Sequence, residues 1–80
     1  LETMADGLVL WGPDFRVRLV NRQLARFYAI PEALARPGAD GRDLLRMMFR
    51  RGDYGAPPAD AAALEAAVEA KVRDILRATG

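Results

Sequence analysis

The sequence has no cysteine, no histidine and no serine, and Lys71 is its one lysine. Without cysteine there is no disulfide framework, no thiolate metal site and no cysteine nucleophile. Without histidine as well, no nucleophile–base pair can be assembled, so catalysis is not expected. A metal site is not expected either. Long apolar runs are missing: nothing approaches the ~20 residues of a membrane span, and no signal-peptide pattern is present. The segment is therefore expected to be cytoplasmic, with no membrane contact of its own. A surplus of one charge is missing too, the formal net charge being +1, too near zero to draw in a polyanion. The chain opens on Leu1 rather than methionine, which leads us to expect a piece of a longer protein.

What the chain does have is 80 residues of 51% hydrophobic content, enough for one small domain. A domain of that size buries only about 60–65% of its unfolded surface, so its stability should be modest. The basic residues lean to one side. Residues 1–51 hold nine arginines against six acids, and the remainder three bases against five acids.

The stretch from Gly7 to Ile30 carries the organisation. Leu8-Val9-Leu10-Trp11 is a short apolar run of the kind found in a covered strand. Gly12-Pro13-Asp14 breaks it, with Pro13 presetting a tight turn and Asp14 able to bond its own backbone two residues on. Arg16 to Leu19 then alternates, which predicts Val17 and Leu19 on one face and both arginines on the other. Together these spacings predict an antiparallel hairpin. Asn21 suits a helix N-cap, and Leu24, Phe27 and Tyr28 give the helix after it a narrow apolar stripe.

On either side the elements are helical. Leu1 to Ala5 reads as the last turn of a helix ended by a left-handed Gly7. Pro31 suits the first position of a short helix, Pro31 to Leu34, which Pro37-Gly38 ends. Asp40 is placed to cap a helix from Gly41 to about Arg50 whose apolar face is Leu44, Leu45, Met48 and Phe49. Gly52 to Ala59 is a loop that Pro57-Pro58 keeps irregular. Asp60 caps the longest helix, Ala61 to Ala78, with Leu64, Val68, Val72, Ile75 and Leu76 in one stripe and Glu69 and Arg73 paired at i, i+4 outside.

Several residues invite a chemical reading beside a plain one. Asp40 and Asp43 could pair as a metal or acid site, but both stand at a helix start, where capping accounts for them. Gly52 and Gly55 lack the strand–glycine–helix context of a phosphate loop and read as a turn. Arg42, Arg46, Arg50 and Arg51 could meet nucleic acid, yet no aromatics interleave with them, so a solvated face is the better expectation. Met47, Met48 and Phe49 could line an adaptable cavity or fill core, and core is favoured.

The succession D-G-L-V-L-W, a turn, R-V-R-L-V-N-R and A-R-F-Y-A-I-P resembles the first half of a PAS domain, of the type that precedes kinase or cyclase modules in bacterial signalling proteins. Asn21 and the helix Leu24 to Tyr28 carry the resemblance, with Gly38, Leu44-Leu45 and Arg51-Gly52-Asp53-Tyr54-Gly55 supporting it. Phe15 stands where the family frequently has glycine, and Ala29 where glycine often ends the first helix. The family's three further strands do not follow. The resemblance implies an α+β, truncated PAS-like fold over residues 1–80, a single but incomplete sensory domain: a hairpin, short helices and a long terminal helix. It implies a tentative ligand pocket lined by Val17, Leu19, Leu24, Phe27, Tyr28, Leu45, Met48 and Phe49. Flavin-adduct and histidine-haem branches are excluded by composition. The cofactor stays unspecified, a small metabolite, a non-covalent cofactor or none. A two-stranded sheet with open edges is marginal in water, and we expect a homodimer to cover what is exposed. A kinase or cyclase output domain would adjoin the segment in a two-component or related system. The alternative is a ligand-free dimerisation or adaptor domain.

Overall fold

The computed structural model describes residues 8–79, and the helix expected over Leu1 to Ala5, with its left-handed Gly7, lies outside them. Two compact units divide the chain, Leu1–Gly41 and Arg42–Gly80. The elements run, in order, β1 (Val9–Trp11), β2 (Val17–Val20), α1 (Arg22–Phe27), a 3₁₀ turn (Glu32–Leu34), α2 (Gly41–Arg51) and α3 (Ala61–Thr79). The class is α+β, as the resemblance implies.

In the first unit β1 and β2 pair antiparallel, Val9 opposite Val20, Leu10 opposite Leu19 and Trp11 opposite Val17. The loop between them follows the expected chemistry. The Phe15 N–H donates to the Gly12 carbonyl at 2.9 Å, and the Asp14 carboxylate accepts from the Arg16 N–H at 3.0 Å. Phe15 closes the three-residue loop at φ 58°, the left-handed position that hairpins of this length usually give to glycine.

One expectation about β2 needs correction. The register shifts between Leu10 and Trp11, so Arg18 is an extra residue in β2, a bulge that reverses the alternation. Val17 consequently faces with Trp11 and is buried, whereas Leu19 faces with Leu10, and both leucines are exposed at 62% and 59%. Val17 and Leu19 do not share a face. The Arg18 guanidinium lies over Gly12, in space that any Cβ there would occupy.

The outer edge of β2 is covered in part by its own unit. The Val17 N–H donates to the Ala39 carbonyl at 2.9 Å, and the Val17 carbonyl accepts from the Gly38 N–H at 2.8 Å. Gly41 N–H adds a bond to the Phe15 carbonyl at 2.9 Å, and Arg16 bridges Asp40. Residues 38–41 thus satisfy backbone groups that we expected a second chain to cover.

Asn21 caps α1 as expected, its side-chain oxygen accepting from the Leu24 N–H at 3.1 Å. The 3₁₀ turn replaces the short helix expected from Pro31, which sits extended just ahead of it at ψ 137°. Buried apolar residues here are Leu8, Val9, Phe15, Val17, Ala25, Ile30 and Ala35.

In the second unit α2 ends at Gly52, which is left-handed at φ 90°, and Asp60 caps α3 by accepting from the Ala63 N–H at 2.8 Å. Leu44, Leu45 and Met48 of α2 and Leu64, Val68, Val72 and Ile75 of α3 are buried, so both expected stripes face inward. The helices are clasped by charge. Arg42 forks onto Glu69 at 2.7 and 3.1 Å, and Arg46 onto Glu65 at 2.8 and 2.9 Å. Glu69 is therefore paired with α2 rather than with Arg73, the i, i+4 partner expected from sequence. The arginines of α2 lie at its surface, Arg50 and Arg51 exposed and Arg42 and Arg46 half-buried, and Arg42, Arg46 and Arg51 each hold a carboxylate there.

Candidate functional site

Side chains expected to line a ligand pocket fall into both units. Val17, Leu19, Leu24, Phe27 and Tyr28 belong to the first and Leu45, Met48 and Phe49 to the second. Within the first, Val17 is buried, Leu24 and Tyr28 are half-buried, and Phe27 is 79% exposed with its ring edge-on to Tyr28 at 5.1 Å. Phe27 therefore joins Leu10 and Leu19 among the large apolar side chains turned outward. Trp11 stacks on Phe15 with ring centroids 4.3 Å apart, and its buried indole N–H has no acceptor among the described residues.

Within the second unit Leu45 and Met48 are fully buried, as expected of core. Phe49 is half-buried against Tyr54 at 4.7 Å. Tyr54 is held on three sides: its hydroxyl reaches the Met48 sulfur at 3.9 Å, its ring meets Phe49, and Lys71 Nζ lies 4.7 Å from the ring centroid. This cation–π contact ties the loop after α2 to α3. The Arg46 guanidinium, hydrogen-bonded to Glu65, holds that carboxyl below the usual range, against the opposing effect of desolvation, and Arg42 does the same to Glu69. Among the described residues no three acidic side chains gather as metal ligands would.

Sequence reasoning missed a cleft of about 150 Å³ in the first unit, between the end of β2, α1 and the 3₁₀ turn. Ala25, Ile30 and Ala35 form its buried apolar floor, half-buried Val20 and exposed Pro37 extend that lining outward, and the exposed Arg22, Arg26, Arg36 and Glu32 stand around it. The signal was available: Arg22 and Arg26 are four apart on one short helix, so they share a face. A second, more open hollow lies in the other unit, beside Arg50, Pro57, Pro58 and Leu64.

No helix among the described residues is long and apolar enough to cross a membrane. No curated protein and no solved structure matches the chain. A family model described as PAS fold does match, over residues 1–79. The hairpin handing over at Asn21 to α1, and the left-handed Phe15 and Ala29 where that fold commonly places glycine, agree with it. This chain belongs to the PAS fold family, a domain of the sensory and signalling kind.

Proposed function

We propose that the domain relays signals without catalysis in a cytoplasmic bacterial signalling protein, adjoining a histidine kinase or cyclase output module, and that it works by pairing with a second copy. The observation that carries this reading is the outward apolar set on the first unit, Leu10 and Leu19 opposite each other on one sheet face and Phe27 on α1. Leu10 and Leu19 are neighbours across the two strands, and contiguous exposed apolar surface is a feature of association surfaces. A small ligand binding to one arrangement of the sheet and its helices would shift the equilibrium that the output module reads. Nucleic acid is not a partner in this reading, because Arg42, Arg46 and Arg51 are engaged with carboxylates.

Sedimentation velocity at micromolar concentration tests the pairing. A dimer that Leu10→Glu with Leu19→Glu converts to monomer supports it, and a compact monomer in the unaltered protein removes it. A ligand-free adaptor is the second reading, favoured by the complete burial of Leu45 and Met48, two of the expected pocket residues. Native mass spectrometry of the purified protein separates the two: a co-purified small molecule argues against the adaptor.

A further inference from the structure

We infer that the cleft between β2, α1 and the 3₁₀ turn binds a small monocarboxylate carrying a compact apolar body, about the size of a benzene ring. It shares none of the side chains expected to line the family-type pocket. Arg22, Arg26 and Arg36 stand at its rim against a single acid, Glu32. None of the four makes an ion pair among the described residues, whereas Arg42, Arg46 and Arg51 each hold a carboxylate.

The placement runs against local electrostatics. Arg22 and Arg26 are like charges at i, i+4, a destabilising spacing, and the first turn of α1 has no acidic residue to offset the cation at its first position. Local rules broken without a compensating contact tend to mark sites of function, and an anion between the guanidiniums would supply what is missing. Guanidinium forks match carboxylate and phosphate geometry alike, and the choice between the two falls to Glu32 and to the apolar lining.

The floor settles the rest of the ligand. Val20, Ala25, Ile30, Ala35 and Pro37 offer no side-chain hydrogen bond, so a ring or branched alkyl group suits them better than a sugar or a phosphate ester. An enclosed apolar cavity of about this volume accommodates benzene, so the cleft has room for a ring of that size, although it opens to solvent beside its charged residues. Glu32 sets a limit, since it would repel a second carboxylate or a doubly charged phosphate.

Benzoate is the probe, titrated into the 80-residue protein at fixed ionic strength and followed by amide chemical shifts. Saturable shifts at Ala25, Ile30 and Ala35, with a dissociation constant on the order of a millimolar, are expected. Arg26→Gln and Arg36→Gln should each weaken binding about tenfold, as loss of a charged hydrogen bond does, and Glu32→Gln should tighten it about twofold or more. The inference is overturned if benzyl alcohol binds as well as benzoate, or if inorganic phosphate produces the same shifts. It is overturned equally if neither arginine variant changes the affinity, or if no saturation occurs by about 20 mM. These outcomes are independent of the dimer, which sedimentation reads separately.

Discussion

Ala29 and Gly52 occupy the same station at the ends of two different helices. After α1 the Ile30 N–H reaches back to the Ala25 carbonyl at 2.8 Å and Ala29 N–H to the Arg26 carbonyl at 3.0 Å. After α2 the Asp53 N–H reaches the Met48 carbonyl at 3.0 Å and the Gly52 N–H the Phe49 carbonyl at 3.2 Å. Both are Schellman ends with the terminal residue left-handed, at φ 54° for Ala29 and φ 90° for Gly52. Only Gly52 adopts that conformation without steric cost.

Ala29→Gly should therefore stabilise the protein. A left-handed alanine costs about 1–2 kcal/mol, and the added freedom of glycine in the unfolded chain returns about 0.4–1 kcal/mol of that. A net gain of about 0.5–1 kcal/mol is expected, raising Tm by about 3–6 °C. Thermal unfolding followed by circular dichroism reads it, and a lower Tm would refute it. Phe15→Gly, at the other left-handed position, should do the opposite, losing about 3 kcal/mol because the buried ring is worth more than the strain.

Gly41 offers a different test of glycine. A Cβ there would meet Trp11 and lie 2.6 Å from the Phe15 ring, so Gly41→Ala must push two stacked aromatics apart. Overpacking of this kind costs about 1–3 kcal/mol. Urea unfolding should show the loss, and a neutral result would mean the stack gives way freely.

The buried indole N–H of Trp11, without an acceptor among the described residues, makes Trp11→Phe a mild change. Removing an orphaned donor recovers about 1–3 kcal/mol of desolvation, which offsets the smaller ring. Stability within about 1 kcal/mol of the parent is expected, against a loss of about 3–5 kcal/mol for Trp11→Ala. If the phenylalanine variant proves as damaging as the alanine one, the indole has a partner after all.

Acid should loosen the second unit. The arginines lower the folded-state pKa of Glu65 and Glu69 below the ordinary value of 4.5. The clasp's contribution is thus fully present above about pH 4.5 and disappears as pH falls through the depressed folded values. The difference in Tm between the parent and Glu65→Gln with Glu69→Gln should shrink on acidification and under high salt. A difference that stayed constant from neutral pH to about pH 3 would rule the clasp out as its cause.

Much of this was legible in the residues. Asn21, Asp14 and Asp60 act within three residues of their own positions, so short-range chemistry was enough to place their hydrogen bonds. The stripe of α3 followed from its period alone. The Arg18 bulge did not, because strict alternation in Arg16 to Leu19 fits a flat strand, and only pairing with β1 reveals the extra residue. Partner choice was hidden for a similar reason. Arg73 lies four residues from Glu69 along α3, but Arg42 reaches it from another helix, and no local spacing reports which wins. Of the candidate site, the apolar residues were visible as residues, whereas the exposure of Leu19 and the cleft under Arg22, Arg26 and Arg36 depend on how the chain turns after β2.

The clasp between α2 and α3 works as a ruler for how far one helix can slide along the other. Its teeth are four residues apart on both helices, Arg42 and Arg46 meeting Glu69 and Glu65 in reversed order. Displacement by one turn, 5.4 Å, could re-mate Arg46 with Glu69 and Arg50 with Glu65, but it would set Arg42 beside Arg73. Displacement the other way leaves Arg46 facing Ala61, with only Asp43 of its own helix to hold, and keeps a single interhelical pair, Arg42 with Glu65. Two like charges on one side and a lost pair on the other thus favour the alignment in which the apolar stripes are buried.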